Sequence, residues 1–181
     1  MGALNPDLNR IIVAQVAIQN RVRVLAEQIS KDYSEVSNLY VIAILKGAFI
    51  FAADLTRNLS VPHTIDFMAL SSYGNSTAIS GEVRLLMDLR EPITDKHVLI
   101  VEDIVDSGQT LKYLLKNLGG RLPASLKTCA LVKKEKETAT FPVDYLGFEI
   151  PDVWVVGYGL DYAEMYRTLP FIAELNKDVY S

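Results

Sequence analysis

VLIVEDIVDSGQTL, residues Val98 to Leu111, changes character twice along its length. Val98 to Val101 is fully apolar, as is typical of a strand that is buried on both faces of a parallel sheet. Carboxylates follow at Glu102, Asp103 and Asp106, and a small polar turn then leads into a segment of helical composition. The stretch therefore predicts a buried strand, an acidic strand end and a turn that opens a helix.

The rest of the chain predicts strands that alternate with helices. Asn5 and Pro6 are typical of a helix start, so we expect a long first helix that runs through Ile29. Residues 71–81 contain small polar residues and two glycines without apolar periodicity, which indicates a mobile loop. The alternation predicts an α/β fold with a mainly parallel sheet covered by helices. Strands are predicted at 39–45, 64–70, 82–89, 98–101, 125–132 and 153–156, and further helices at 48–59 and 109–118.

Composition indicates one globular domain over residues 1–181, since half of the residues are hydrophobic and 22% are charged. A net charge of −4 disfavours a nucleic-acid partner. The single cysteine, Cys129, lies in an apolar run and is expected to be a buried, inert thiol, as suits a reducing cytosol. Lys46 and Asp54 interrupt the longest apolar region, which argues against a membrane span. A cytoplasmic protein is expected.

The acidic strand end and the small turn together predict a site for a phosphorylated sugar. Ligands of parallel sheets bind at the carboxyl ends of the strands, where Lys46-Gly47, Glu102 to Thr110 and the segment after Val156 should meet. Backbone N–H groups of the turn can converge on an anion, and the acids suit hydroxyl groups or Mg²⁺. A nucleoside-triphosphate site is disfavoured because the chain lacks G-x-x-x-x-G-K-[ST]. The G-x-G at Gly157 to Gly159 lacks a third glycine, so a dinucleotide fold is also disfavoured.

VEDIVDSGQT resembles the phosphoribosyl-pyrophosphate signature of the type I purine phosphoribosyltransferases. LKGAFIFAADL, DFMALSSYG, ALVKKE, GFEIPDVWVVGYGLDY and YRTLP also follow in the family's order, so that the resemblance covers about Leu39 to Pro170. It is closest to the bacterial hypoxanthine (hypoxanthine-guanine) enzymes. It implies the type I phosphoribosyltransferase fold, with a central, mainly parallel, twisted sheet and a small hood built from the N- and C-terminal segments.

The resemblance also implies an activity in purine salvage. The phosphoribosyl group of phosphoribosyl pyrophosphate would pass to hypoxanthine or guanine, with Mg²⁺, and give IMP or GMP and pyrophosphate. Neither a nucleic acid nor a membrane is an implied partner, and a homodimer or homotetramer is expected. Hypoxanthine and guanine differ at a purine edge that relatives read largely with backbone carbonyls, so a preference between them stays open.

Site roles are carried over from the family residue by residue. Asp106 would be the catalytic base that takes the purine's proton. The metal-binding acids would be Glu102, Asp103 and Asp161, the first two of which would also hold the ribose hydroxyls. The other substrate contacts are Lys46, Gly47 and Arg167 for pyrophosphate; Ser107, Gly108, Gln109 and Thr110 for the 5′-phosphate; Ile104, Lys133, Trp154, Val155 and Leu160 for the purine; and Ser72 and Tyr73 in a closing loop.

This chain departs from the family's pattern at two site positions. Gln109 stands where many relatives have lysine, and Trp154 stands where phenylalanine is common. The first change matters little if backbone N–H groups hold the phosphate, and the second keeps an aromatic face. Lys134 and Lys136 lie in the run KKEKE and are interpreted as solvated charges.

Two other functions remain open at this point. A regulator could keep the fold and bind phosphoribosyl pyrophosphate as an effector while contacting DNA or RNA, since a fold does not fix a function. The absence of an additional DNA-binding domain and the intact purine pocket speak against it. A pyrimidine or adenine phosphoribosyltransferase is the other alternative. Lys133 disfavours adenine, because the 6-amino group of adenine is a donor like the lysine itself.

Overall fold

The computed structural model describes residues 5–72, 83–136 and 142–180. Nine strands, three α-helices and one 3₁₀ turn lie within these ranges. In chain order they are β1 (Leu8–Val13), α1 (Gln15–Asp32), β2 (Leu39–Leu45), α2 (Phe49–Asn58), β3 (His63–Ser72), β4 (Val83–Met87), β5 (His97–Val105), α3 (Gln109–Gly119), β6 (Ser125–Lys134), β7 (Tyr145–Ile150), β8 (Val155–Val156), β9 (Ile172–Leu175) and the 3₁₀ turn Lys177–Val179.

A six-stranded sheet in the order β4-β3-β2-β5-β6-β7 forms the centre of the fold. All neighbouring pairs are parallel except β3 and β4. In β2, Val41 and Ala43 pack toward α1 and α2, while Ile42 and Ile44 pack toward α3. Both faces of the strand are therefore buried, because successive side chains point to opposite sides of the sheet. The predicted α/β fold with a mainly parallel sheet is confirmed.

A second, three-stranded sheet has the order β1-β9-β8. β9 pairs with both neighbours in the antiparallel sense. A small core of its own includes Leu8, Val156, Ala173 and Leu175. Segments from the two ends of the described chain therefore meet in one small layer.

Sequence analysis was wrong about the first element, and the strand predicted at 153–156 is confirmed only at Val155–Val156. Residues 8–13 form β1 rather than the start of a helix, because they pair with β9, and α1 begins only at Gln15. Val155–Val156 belongs to the three-stranded sheet, since it pairs with β9 and not with the central sheet. β7 and β9 were not predicted. β9 pairs with β1, more than 150 residues away, and local patterns do not reveal such a partner.

The other predicted elements are confirmed, with boundary differences of a few residues. β5 is longer than predicted and includes Glu102 and Asp103, so these acids lie within the strand. β3 extends through Ser72, and the rest of the predicted loop, from Tyr73 onward, lies outside the described residues. Cys129 is fully buried, as predicted. In the described ranges, no helix has the length and apolar character needed to cross a membrane.

Candidate active site

A cleft opens where the carboxyl ends of the central strands face the loop after β8. Its volume is about 230 Å³. Acidic groups, one lysine and apolar groups share its walls, which is a combination suited to a ligand with both charged and flat apolar parts. The lining residues are Asp103, Ile104, Asp106, Lys134, Trp154, Val155, Leu160 and Asp161.

Glu102 and Asp103 bring two adjacent carboxyl groups to the end of β5. Glu102 is 4% exposed and is not among the residues that line the cleft, whereas Asp103 lines it. Burial, together with the adjacent Asp103 carboxylate, raises the pKa of Glu102 well above its ordinary value. Burial also raises the pKa of Asp103, although its carboxylate accepts a hydrogen bond from the Ile104 N–H at 2.9 Å. Within the described ranges neither acid has an ion-pair partner, so both favour an incoming cation.

Two glycines bring separate backbone segments close to Asp103. A Cβ on Gly47 would lie 1.6 Å from an oxygen of the Asp103 carboxylate, and a Cβ on Gly159 would lie 1.9 Å from the Gly47 carbonyl oxygen. Gly159 also has a φ of +106°, a backbone conformation that residues other than glycine rarely adopt. Lys46-Gly47, β5 and the segment after Val156 are therefore neighbours, as predicted. The Leu45–Lys46 peptide bond is cis.

The predicted anion turn lies directly at the start of α3. Gly108 precedes the helix with a φ of +75° and thus allows the chain to turn sharply into it. The Gln109 N–H has a side-chain acceptor, the Ser107 hydroxyl, at 3.5 Å. The other N–H groups of the first helical turn have no intrahelical acceptor and carry the positive end of the helix dipole. Ser107 and Gln109 are exposed, so an anion can reach this helix end.

Asp106 is part of a cluster of four charged side chains. Its carboxylate contacts Lys134 at 3.5 Å and Lys136 at 2.5 Å, and Asp152 contacts the same two lysines at 3.3 and 3.2 Å. The hydrogen bond with the Asp106 carboxylate raises the pKa of Lys136, burial opposes this increase, and the contact with Asp152 raises the pKa further by a smaller amount. The Lys134 side chain is only 13% exposed. The interpretation of Lys134 and Lys136 as solvated charges is therefore wrong, because both are held between two carboxylates.

Lys133 lies next to this cluster on β6 and is half-buried. It pairs in register with Val105 on one side and Glu149 on the other. No side chain in the described ranges forms a hydrogen bond or ion pair with it. Lys134, and not Lys133, is among the residues that line the cleft.

Arg167 links the acidic side of the cleft to the Lys46 segment. Its guanidinium contacts Asp161 at 2.9 Å and Glu164 at 3.3 Å, and it donates a hydrogen bond to the Gly159 carbonyl at 2.8 Å. Glu164 also contacts the Lys46 ammonium at 3.0 Å. These cations, Lys46 first and then Arg167, lower the pKa of Glu164. The buried Nε of Arg167 has no hydrogen-bond partner among the described residues.

Glu164 is a site residue that sequence analysis missed. It bridges the two cations that were predicted to bind pyrophosphate, and it is 65% exposed. Its backbone has a φ of +65°, as part of a tight turn that also contains Ala163 and Tyr166 in the left-handed region. No local pattern identifies it, because the contact depends on how this turn folds back toward Lys46.

The apolar wall of the cleft contains the predicted purine contacts Ile104, Trp154, Val155 and Leu160. The indole of Trp154 is 45% exposed, which is unusual for so large an apolar side chain. Ser72 lies at the end of β3, opposite Val83 of β4, and Tyr73 lies outside the described residues.

Asp103 and Asp161 are suitable oxygen ligands for a magnesium ion in the cleft. Within the described ranges, no group of three or more His, Cys, Asp or Glu side chains could enclose a metal on its own. Mg²⁺ commonly keeps several waters and is held by one or two carboxylates together with substrate phosphates. The residues therefore fit a magnesium ion that arrives with a phosphorylated substrate.

Comparison with known proteins agrees with this geometry. A family model described as "Phosphoribosyl transferase domain" matches residues 10–163. The chain belongs to the phosphoribosyltransferase family. The hypoxanthine-guanine phosphoribosyltransferase of Dictyostelium discoideum is 48% identical over 174 residues, which are 94% of this chain and 97% of that protein. The enzyme of the same name from Bacillus subtilis is 42% identical over 96% of this chain and 97% of its own length.

Solved structures of phosphoribosyltransferases have the same fold. A hypoxanthine phosphoribosyltransferase from Trypanosoma cruzi superimposes with a TM-score of 0.91 at 41% identity, over 98% of this chain and 96% of that one. A hypoxanthine-guanine phosphoribosyltransferase from Bacillus anthracis gives 0.86 at 45% identity, over 93% and 99%. The predicted family and type I fold are confirmed.

Proposed function

We propose that this protein is a purine-salvage enzyme that transfers the 5-phosphoribosyl group from phosphoribosyl pyrophosphate to hypoxanthine, guanine or both. The products are IMP or GMP and pyrophosphate. The observation that carries the proposal is the cleft, because it combines Asp103, Asp106 and Asp161 with the aromatic face of Trp154 beside an open helix N-terminus. Family membership and relatives named for this activity support the same function.

In this proposal the 5′-phosphate binds at the start of α3. Asp106, Ser107, Gly108, Gln109 and Thr110 surround it, and the free backbone N–H groups of the helix end donate to its oxygens. Gln109 in place of a lysine is compatible with this arrangement, because the N–H groups and the helix dipole already favour a negative charge.

Ribose and magnesium bind at the acidic end of β5. Glu102 and Asp103 hold the ribose hydroxyls directly or through Mg²⁺, and Asp161 is a further carboxylate for the ion. Mg²⁺ would supply charge neutralisation for the pyrophosphate. The two acids at the strand end favour positive charge on the ribose as the bond at C1′ breaks.

Pyrophosphate binds between the Lys46-Gly47 segment and Arg167. Both side chains now share Glu164, whose carboxylate must give up these contacts when pyrophosphate arrives. The buried Nε of Arg167 has no hydrogen-bond partner in the described ranges, so its N–H group is available to donate a hydrogen bond to the same anion.

The purine stacks on Trp154, with Ile104 and Leu160 as apolar neighbours and the Val155 carbonyl at its edge. Lys133 donates to the exocyclic oxygen, a role that suits a half-buried lysine without a partner in the described chain. Asp106 accepts the purine's proton, after its contacts with Lys134 and Lys136 rearrange. Ser72 and Tyr73 belong to the segment that closes over the substrates and excludes water.

The three-stranded sheet is the hood in this proposal, since β1 and β9 come from the two ends of the described chain. The whole of residues 1–181 then forms one phosphoribosyltransferase domain. A homodimer or homotetramer in the cytoplasm, without a nucleic-acid or membrane partner, completes the proposal.

The test is a steady-state assay of the purified protein with phosphoribosyl pyrophosphate and Mg²⁺. Hypoxanthine, guanine, xanthine and adenine are offered separately, and pyrophosphate release is measured with and without EDTA. Magnesium-dependent turnover of hypoxanthine or guanine, with adenine inert, is expected. Binding of phosphoribosyl pyrophosphate without turnover of any base would contradict the proposal and favour a regulator.

A further inference from the structure

Trp154 belongs to a group of three aromatic rings at the edge of the cleft. The Tyr180 ring stacks on the indole, with 5.2 Å between centroids and 29° between planes. The Tyr162 ring meets the indole edge-on at 5.6 Å and 86°. Trp154 lines the cleft, whereas neither tyrosine does. The indole therefore has tyrosine contacts outside the cleft and remains 45% exposed.

Tyr180 is brought to this position by the 3₁₀ turn Lys177–Val179. The Asn176 side chain caps the turn by accepting a hydrogen bond from the Asp178 N–H at 3.1 Å. The Tyr180 N–H donates to the Lys177 carbonyl at 3.1 Å. Val179 and Tyr180 both pack against the small core of the three-stranded sheet.

The same sheet anchors the backbone of Trp154. The Leu175 N–H donates to the Trp154 carbonyl at 2.9 Å, and the next residue, Val155, pairs with Glu174 of β9. Tyr180 and Trp154 are thus attached to the same small sheet, one through the 3₁₀ turn and the other through β8. Both rings are therefore connected to the sheet by short segments, and the two rings stack on each other.

We propose that Tyr180 is a positioning residue that supports Trp154 from behind and so determines how well the indole stacks on the purine. The inference rests on the proposed function, which assigns the purine to Trp154. An indole that is already held in place loses less conformational freedom when the base binds. Tyrosine suits this role because its large rigid ring has few rotatable bonds to immobilise. Tyr180 itself does not touch the purine.

Three variants separate the stack from the turn that carries it. Tyr180→Ala removes the ring, and Tyr180→Phe keeps the ring without the hydroxyl. Val179→Ala is the matched control, because Val179 lies in the same turn and packs against the same core but has no ring. Trp154 is the only tryptophan of the chain, so the intrinsic tryptophan emission of each variant reports this site alone.

We expect Tyr180→Ala to raise the KM for hypoxanthine about three- to tenfold, in line with the usual strength of an aromatic pair. The KM for phosphoribosyl pyrophosphate should stay within about twofold, since the phosphate and ribose contacts lie on other elements. The tryptophan emission maximum should move to longer wavelength, and half-maximal quenching of that emission should require a higher concentration of hypoxanthine. Tyr180→Phe should restore all three properties, and Val179→Ala should resemble the unmodified protein.

An unchanged KM for hypoxanthine in Tyr180→Ala would overturn the inference. A lower KM would also overturn it, because Tyr180 would then compete with the base for the indole face. Equal increases of both KM values without rescue by phenylalanine would leave only a structural role and contradict positioning. If the unmodified protein turns over no 6-oxopurine at all, the proposed function fails instead. If it turns over hypoxanthine but the intensity of its tryptophan emission does not change when hypoxanthine is added, the placement of the purine on Trp154 is contradicted.

Discussion

The carboxylates around the cleft fall into two groups with opposite electrostatic states. Glu102 and Asp103 at the end of β5 are without a cation within the described ranges, and burial raises the pKa of both. Asp106, Asp161 and Glu164, which come from loops, each contact a lysine or an arginine. The unpaired acids gain a cationic partner only when the proposed substrates and Mg²⁺ bind. The paired acids must first break their contacts with lysine or arginine before they can take part in the reaction.

Asp106→Asn tests the paired group and should have the largest effect. The amide cannot accept the purine's proton, so kcat should fall by about 10²–10⁴-fold while phosphoribosyl pyrophosphate still binds. Steady-state kinetics and a binding isotherm measure the two effects. Asp152→Asn is the matched control, since Asp152 contacts the same two lysines but does not line the cleft. Turnover within a few-fold of normal in Asp106→Asn would remove Asp106 as the base.

Gly47→Ala tests the close approach of the Gly47 backbone to the carboxylate of Asp103, which belongs to the unpaired group. The new methyl group would overlap with the Asp103 carboxylate, so the carboxylate or the Lys46 segment must move. A displacement of this size should lower kcat/KM for phosphoribosyl pyrophosphate about 10²-fold. In the control Gly119→Ala, the methyl group meets nothing within 4 Å, and activity should be unchanged. Full activity of Gly47→Ala would mean that this approach is not part of the working site.

Glu102→Gln tests whether the buried carboxyl group of Glu102, one of the two unpaired acids, destabilises the folded protein. A carboxyl group whose pKa is raised on folding destabilises the protein as pH rises from its unfolded pKa, about 4.3, towards its folded pKa, because only the unfolded chain releases the proton there. The glutamine avoids this loss, so the variant should gain a few degrees in Tm near neutral pH and nothing below about pH 4.

The Tm comparison is made with EDTA and without substrates, so that no Mg²⁺ is bound to the acids. Glu27→Gln, at an exposed position of α1, should leave Tm unchanged across the same pH range. A variant that is less stable than the parent at neutral pH would show that the Glu102 carboxylate is stabilised by its surroundings after all.

Glu164→Gln should have the smallest effect, because the contacts it removes are exposed. Without the carboxylate, Lys46 and Arg167 are available to pyrophosphate, and the KM for phosphoribosyl pyrophosphate should fall roughly two- to fivefold. Initial-rate kinetics at fixed ionic strength measure the change. Glu91→Gln is matched in geometry, since Glu91 contacts Lys96 at the same 3.0 Å, and should have no effect. A higher KM in Glu164→Gln would instead mean that Glu164 positions the two cations.

The central sheet and most of the proposed site could be predicted from the sequence. β2 was predicted at its observed bounds, because a strand buried on both faces must be continuously apolar. The acidic residues in the second half of β5 and the small residues that follow the strand identified the cleft by their chemistry, and the family resemblance assigned roles to individual positions. These features depend on residues that are close together in the chain, so a local pattern is enough to reveal them.

Only the tertiary structure decided how the ends of the chain and the charged loops are arranged. Residues 8–13 read as a helix by themselves and become a strand because β9 provides backbone partners more than 150 residues away. Lys134, Glu164 and Tyr180 look like ordinary surface residues in the sequence. Their contacts with Asp106, Lys46 and Trp154 join distant segments, and the free energy of such contacts depends on distances that only the folded chain defines.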